Sequence, residues 1–228
     1  LAELEKAHKE GAKVVYDIDD FYWDRPEYLK MVQQADLVTT DTEEKARVLK
    51  YDNKNVIVIP DSLDWDGTVK KETKGNVIGW TGYGNNSQYL NDIDLPKKFD
   101  LRLIASPDWT QYYKDLNAQS RPWSLAMVDK YLAECDLGIY YMPDEKLENM
   151  KGCHKLLKNW AIGLPTYTSR IPDYVKAMKE AGVGEKYLVD DWSKLKNIGF
   201  DEKCREYALK FKPEVIARLW DKTLAEMK

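Results

Sequence analysis

Hydrophobic and polar positions along this chain alternate between two rhythms. Short apolar runs of four or five residues, bounded by Gly, Pro or Asp, are separated by stretches in which apolar residues recur every three or four positions. The first rhythm predicts buried strands and the second predicts helices that cover them. In the first part of the chain the pattern gives a helix over 1–10 ended by Gly11 and a strand over Lys13–Asp17. A helix over Glu27–Gln34, a strand over Asp36–Thr40, a helix capped by Thr42 and running to Leu49, and a strand over Val56–Ile59 closed by Pro60 follow. Residues 61–75 are polar, without apolar periodicity, and read as a linker.

The rhythm restarts at Val77-Ile78-Gly79-Trp80, followed by a helix and the strand Leu101–Ile104. Further on come a helix near Ser124–Glu134, a strand over 137–141, a helix from near Lys151 to Gly163, and the strand Thr166–Thr168. A helix over Pro172–Ala181, a strand over Tyr187–Val189 and a helical tail bent at Pro213 complete the series. Strands alternating with helices predict an α/β protein with parallel sheets. The linker divides it into two Rossmann-like halves facing a cleft: 1–70, which is short, and 76–200, with helices of 201–228 packing back across the junction. The first residue is Leu1, inside a helical pattern.

Composition narrows the class. The 228 residues carry 35 basic and 39 acidic side chains, a net charge of −4, so no global positive field advertises nucleic acid. Cys135, Cys153 and Cys204 are too few and scattered for a disulfide framework or a zinc site. With no signal peptide pattern and no apolar stretch of spanning length, a cytoplasmic protein that does not insert in membranes is expected.

Three segments carry candidate chemistry. Thr81-Gly82-Tyr83-Gly84-Asn85 follows a strand and precedes a helix; its glycines permit a tight turn and close approach to a ligand, and free N–H groups at a helix start suit phosphate. The alternative is a glycine-rich turn with no ligand. On the helix opening near Lys151, residues Cys153, Leu156, Leu157 and Trp160 form an apolar face, while Lys151, Lys155 and Lys158 share another arc. Lysines in a first turn are unfavourable unless an anion lies there, so an anion site and a solvated lysine face are evenly matched readings. Asp17, Asp19 and Asp20 crowd a strand end, where a catalytic base, a metal site or a solvated turn are the choices.

The ordered segments GAKVVYDIDD, ADLVTTDT, NVIVIPDSLD, NVIGWTGYGNN, CDLGIYYMP, MKGCHKLLKNWAIGLPTYTS and IPDY resemble glycosyltransferases of the two-Rossmann-domain, or GT-B, type. The resemblance implies a nucleotide-diphosphate sugar held mainly by the second half, an acceptor across the cleft, and no required cofactor or metal. It places Thr81, Gly82, Tyr83, Gly84 and Asn85 at the donor diphosphate and has Lys151 and Lys155 balance its charge. His154 then lies within reach of phosphate or sugar, though a structural role on its helix suits it equally. Trp109 borders the base, where a core position is the competing reading. An aspartate of the 17–20 cluster, Asp19 or Asp20, would take the acceptor proton. Met150 and Lys158 occupy positions where many relatives carry glutamates eight apart, which leaves ribose recognition and stereochemistry open.

The acceptor stays open between a glycan, a small molecule and a hydroxymethylated base in DNA, with Lys13, Arg25, Lys30, Lys45, Arg47 and Lys50 as a candidate phosphate rim. Two rival classes remain. One is a non-catalytic sugar-nucleotide-binding protein. The other, suggested by Asp17-Ile18-Asp19 with Asp190-Asp191, is a phosphatase resembling the haloacid-dehalogenase type.

Overall fold

The computed structural model describes residues 2–20, 25–70, 75–106 and 118–227. Two separate sheets contain only parallel pairs, one on each side of residue 70. The first has three strands in the order β1-β2-β3: Val15–Ile18, Leu37–Thr40 and Val56–Val58. Around it lie α1 (Ala2–Lys9), α2 (Pro26–Gln34) and α3 (Glu43–Leu49). Its core joins Ile18 and Val38 to Tyr28, Val32, Ala46 and Leu49 from α2 and α3. Thr42 caps α3 by accepting from the Lys45 N–H at 3.2 Å, as the sequence predicts. The same hydroxyl donates to the carbonyl of Met150 at 3.2 Å, so the cap also ties the two halves together.

The second sheet has five strands in the order β6-β5-β4-β7-β8. They are β4 (Val77–Gly82), β5 (Asp100–Ala105), β6 (Gln119–Pro122), β7 (Leu137–Tyr140) and β8 (Thr166–Thr168). From β4 the chain runs outward through β5 and β6, then returns to the other side of β4 with β7. That reversal is a topological switch point, where the carboxyl ends of neighbouring strands leave a crevice for a ligand. Gly82 ends β4 at this crevice and Tyr140 ends β7 beside it.

Between β7 and β8 runs α5 (His154–Ile162). Leu156, Leu157, Trp160, Ala161 and Ile162 are buried against the sheet, the face that the apolar spacing marks. Each large side chain in such a position contributes about 1.5–3 kcal/mol of transfer free energy. A Cβ on Gly138 would lie 2.5 Å from Asn159 Nδ2 and 2.8 Å from Thr166 Oγ1, so only glycine lets α5 and β8 approach β7 this closely. Gly163 ends the helix in the left-handed conformation, φ 92°, its N–H bonded to the carbonyls of Asn159 and Trp160.

α4 (Val128–Ala133) and α6 (Pro172–Glu180) cover the sheet, α7 (Glu202–Ala208) packs on α5, and α8 (Pro213–Glu226) closes the chain with Pro213 in its first turn. Several boundaries differ from the pattern-based expectation. The segment after Gly82 is a 3-10 helix, Gly84–Asp92, not an α-helix. α5 begins three residues later than expected, leaving Lys151 before it. Tyr187–Val189 contributes only a bridge between Leu188 and Thr168. β6 was not anticipated, because its four residues are exposed and polar and carry no apolar rhythm. Among the described residues no helix is long and apolar enough to cross a membrane.

Candidate functional site

A cavity of about 220 Å³ occupies the crevice at the switch point. Thr81, Gly82 and Tyr83 line it from the end of β4, Ser106 from the end of β5, Trp123 from beyond β6, and His154, Lys155 and Lys158 from α5. Asp64, from the linker, closes one side.

Each lining residue has a distinct state. The Thr81 hydroxyl donates to the Ile104 carbonyl at 2.8 Å, joining β4 to β5, so its proton is already committed. Ser106 Oγ accepts from the Gly84 N–H at 3.1 Å, leaving its own proton to donate into the cavity. A Cβ on Gly82 would lie 2.9 Å from the Trp80 ring and 3.3 Å from Lys155 Nζ; the absence of a side chain lets the ammonium approach the backbone. Trp123 is 49% exposed, and its backbone N–H donates to the Ala105 carbonyl at 2.8 Å, which fixes the chain there while the indole stays open to the cavity.

Lys155 has no carboxylate partner among the described residues. Burial pushes its ammonium down to about 8, Lys151 presses the same way, and Asp20 opposes both. An unpaired cation in a low-dielectric pocket is costly until an anion joins it. Lys158 is different. Its buried ammonium lies 2.9 Å from Asp64 and 3.3 Å from Asp129, itself buried on α4. It pins the linker to α5 and α4 and has no charge to spare for a ligand.

His154 stands between two linker carboxylates, with Nε2 3.0 Å from Asp64 and Nδ1 4.0 Å from Asp61. Burial holds its pKa below the ordinary value, Lys158 and Lys155 act in the same direction, and Asp64 opposes them. A neutral ring donates one N–H, for which Asp64 is the nearer acceptor.

At the other side of the cleft, Asp17 accepts from Thr39 Oγ1 at 2.6 Å, and Asp20 lies 3.4 Å from Lys151. Buried Lys45 donates to the Asp41 carboxylate and the Asp19 carbonyl. Asp61 sits nearby. Burial pushes its carboxyl up to about 7, with Asp41, Asp19 and Asp17 adding to the shift and Lys45 opposing it. Among the described residues, no group of three or more His, Cys, Asp or Glu side chains is arranged to hold a metal ion.

No family model matches the sequence, and no curated protein sequence does. Solved structures match it over almost its whole length. Anabaena HepE in complex with UDP-glucose aligns with a TM-score of 0.70 and 13% identity over 98% of this chain and 75% of that one. S. aureus TarM in complex with UDP and other ligands gives 0.59 at 11% identity over 92% of this chain and half of that one. The sucrose-phosphate synthase of Thermosynechococcus elongatus gives 0.58 at 13% identity, over 88% and 60%.

The chain has the GT-B fold.

In this GT-B frame the structure brings Thr81, Gly82, Tyr83, His154 and Lys155 to one cavity, while Gly84 and Asn85 follow in the adjoining 3-10 helix. Lys151 lies outside that lining, and Trp109 falls outside the described residues. One N–H at the start of α5, that of Cys153, is taken by the Asp173 carboxylate at 2.7 Å. Asp190 and Asp191 are held by Arg170 and Lys194 in the segment after β8, not beside Asp17 or Asp19 as the phosphatase pattern requires.

Sequence reasoning missed Trp123, Asp61 and Asp64, whereas Ser106 opens the loop that it placed beside the base. The signal for the two aspartates was present: they follow Pro60 at the ligand-binding end of β3, within a stretch read only as linker. Trp123 follows a strand with no apolar pattern and had no such signal.

Proposed function

We propose that this protein is a glycosyltransferase that moves a sugar from a nucleoside-diphosphate sugar to an acceptor hydroxyl. The observation that carries the reading is the Lys155 ammonium, unpaired among the described residues and held beside Gly82 at the switch point of the second sheet. A diphosphate is the ligand that fits it. Complexes of similar structures agree in kind: HepE is described with UDP-glucose and with UDP and glucose.

The donor diphosphate lies against Lys155, with the Ser106 hydroxyl as a neutral donor. The exposed indole of Trp123 offers a face for the base, a role that the sequence reading gave to Trp109. Residues 76–200 form the donor unit, 1–70 the acceptor unit, and 201–228 the helices that close on both. As the acceptor oxygen attacks the anomeric carbon, the bond from that carbon to the diphosphate oxygen breaks and the electron pair leaves with the diphosphate. Lys155 stabilises that developing charge, so the reading requires no cofactor. Of the clustered aspartates, Asp20 is paired with Lys151 and Asp17 accepts from Thr39 Oγ1, while Asp19 faces the cleft with neither a side-chain ion pair nor a side-chain hydrogen bond to its carboxylate among the described residues. It is the candidate to receive the acceptor proton.

Mass spectrometry of donor turnover and sugar transfer tests the reading. Transfer, or slow donor hydrolysis, that is lost in Lys155→Ala is expected; donor binding with no turnover on any acceptor would instead make the protein a binder.

A further inference from the structure

A second cavity, of about 330 Å³, opens on the acceptor side of the cleft. One wall is carboxylate, from Asp17, Asp19 and Asp61. The opposite wall is apolar and comes from α8, where Ile216, Ala217 and the half-buried Trp220 face inward. Asp61 is also the 4.0 Å neighbour of His154, which lines the first cavity, so the two cavities meet at this pair.

We propose that this second cavity is the acceptor site and that it takes an uncharged, polyhydroxylated ring, such as an unmodified sugar, and not a phosphate-bearing acceptor. The inference rests on the sugar-transfer reading and goes on to name the substrate class. A pyranose ring has an apolar C–H face and a polar rim. An indole matches the first, and carboxylates accept hydrogen bonds from the hydroxyls of the second.

Charge decides against phosphate. No lysine or arginine is among the residues lining this cavity. Two cations on this side of the cleft are committed elsewhere: Lys45 to Asp41 and the Asp19 carbonyl, and Lys151 to Asp20. A phosphate would therefore meet carboxylates with no counter-charge. Lys13 and Arg47, two members of the rim considered for DNA, are paired with Asp36 and Glu44, and Lys45 is buried. The raised Asp61 carboxyl, facing Asp41, Asp19, Asp17, Lys45 and His154, fits a neutral guest, because near neutral pH it both donates and accepts.

The test uses the intact chain in three measurements. Calorimetry with nucleoside diphosphates reads the donor site alone. Transfer is then compared between neutral mono- and disaccharides, the same sugars as phosphate esters, amino sugars and hydroxymethylated duplex DNA. Finally, Trp220→Ala and Trp220→Phe are assayed on the best acceptor. The proposal expects kcat/KM for neutral sugars at least a hundredfold above their phosphate esters. It also expects a tenfold or greater rise in acceptor KM for Trp220→Ala that Trp220→Phe restores.

Equal or better use of phosphate esters, amino sugars or DNA overturns it. So does an acceptor KM unmoved in Trp220→Ala, or donor binding without transfer to any neutral sugar. Absence of nucleoside diphosphate binding overturns the sugar-transfer reading itself, a result distinct from all of these.

Discussion

The ammonium of Lys151 lies 3.4 Å from the carboxylate of Asp20, 131 residues earlier in the chain. Two residues that the sequence assigns to opposite sides of one reaction, a phosphate ligand and a base, are thus partners across the cleft. Their side chains are 41% and 60% exposed, and a pair so solvated is worth only about 0–1 kcal/mol. Lys151→Ala is expected to leave unfolding free energy within about 1 kcal/mol of wild type and nucleoside diphosphate affinity within about threefold. Chemical denaturation and calorimetry read the two quantities. A loss in affinity of more than tenfold would move the diphosphate towards Lys151.

Lys158 carries the larger structural stake. It is the buried cation between Asp64 and Asp129, so Lys158→Ala leaves the buried Asp129 without its counter-charge, with the Asp66 N–H as its remaining donor. A loss of about 3–5 kcal/mol is expected. Burial already raises the Asp129 pKa, while the Asp66 N–H and Lys158 lower it. Removing the lysine therefore raises it further. A carboxyl whose folded pKa exceeds its unfolded value binds more protons when folded, so the variant's deficit grows as pH rises above about 4 and shrinks in acid. Urea titrations at pH 4.5 and pH 7.5 check the sign; an equal deficit at both would contradict it.

Donor binding should titrate with Lys155. In the empty pocket its ammonium is pushed down to about 8, and a bound diphosphate stabilises the charged form and raises that value. Below pH 7 the lysine is protonated before binding and adds no pH dependence of its own. Above pH 8 binding must take up a proton, and affinity falls by up to about tenfold per pH unit until the pKa of the complex is reached. Calorimetry at pH 8 in buffers of different ionisation enthalpy should show net proton uptake that disappears in Lys155→Ala. Uptake that persists in the variant would assign the proton elsewhere.

Glycine positions around α5 give a packing test. Gly138→Ala forces a methyl against Asn159 and Thr166 and is expected to cost about 1–3 kcal/mol. Gly163→Ala combines a left-handed φ with a collision against the Arg205 guanidinium and should cost at least as much. Gly182→Ala, also at positive φ but with open space around its Cβ position, separates the backbone cost from the collision. Thermal unfolding that ranks Gly182→Ala as the most damaging of the three would contradict this account of the packing.

Much of this architecture was legible because buried parallel strands write continuous apolar runs. Val56–Val58 and Leu137–Tyr140 stand out as such runs, and Gly163 marks where α5 stops. The fold class and the switch-point loop follow from that rhythm. The start of α5 was not legible, because Lys151-Gly152-Cys153 continues the helical spacing of lysines while the backbone stays extended at Lys151. Nor was the fate of the three lysines. Spacing puts them on one arc, but only tertiary neighbours separate them: Asp20 for Lys151, Asp64 and Asp129 for Lys158, and open cavity for Lys155. The polar linker hid Asp61 and Asp64 for the opposite reason. Irregular backbone has no period to read, although it crosses the ligand-binding edge of both sheets.

Calorimetric titration of the intact chain with a series of nucleoside diphosphates, on wild type and Lys155→Ala in parallel, tests the central claim most directly. One charge-assisted contact contributes about 1.5–3 kcal/mol, so the account predicts saturable binding to wild type that weakens roughly tenfold to a hundredfold in the variant. Equal affinity in the two proteins would contradict it and remove the diphosphate from this cavity.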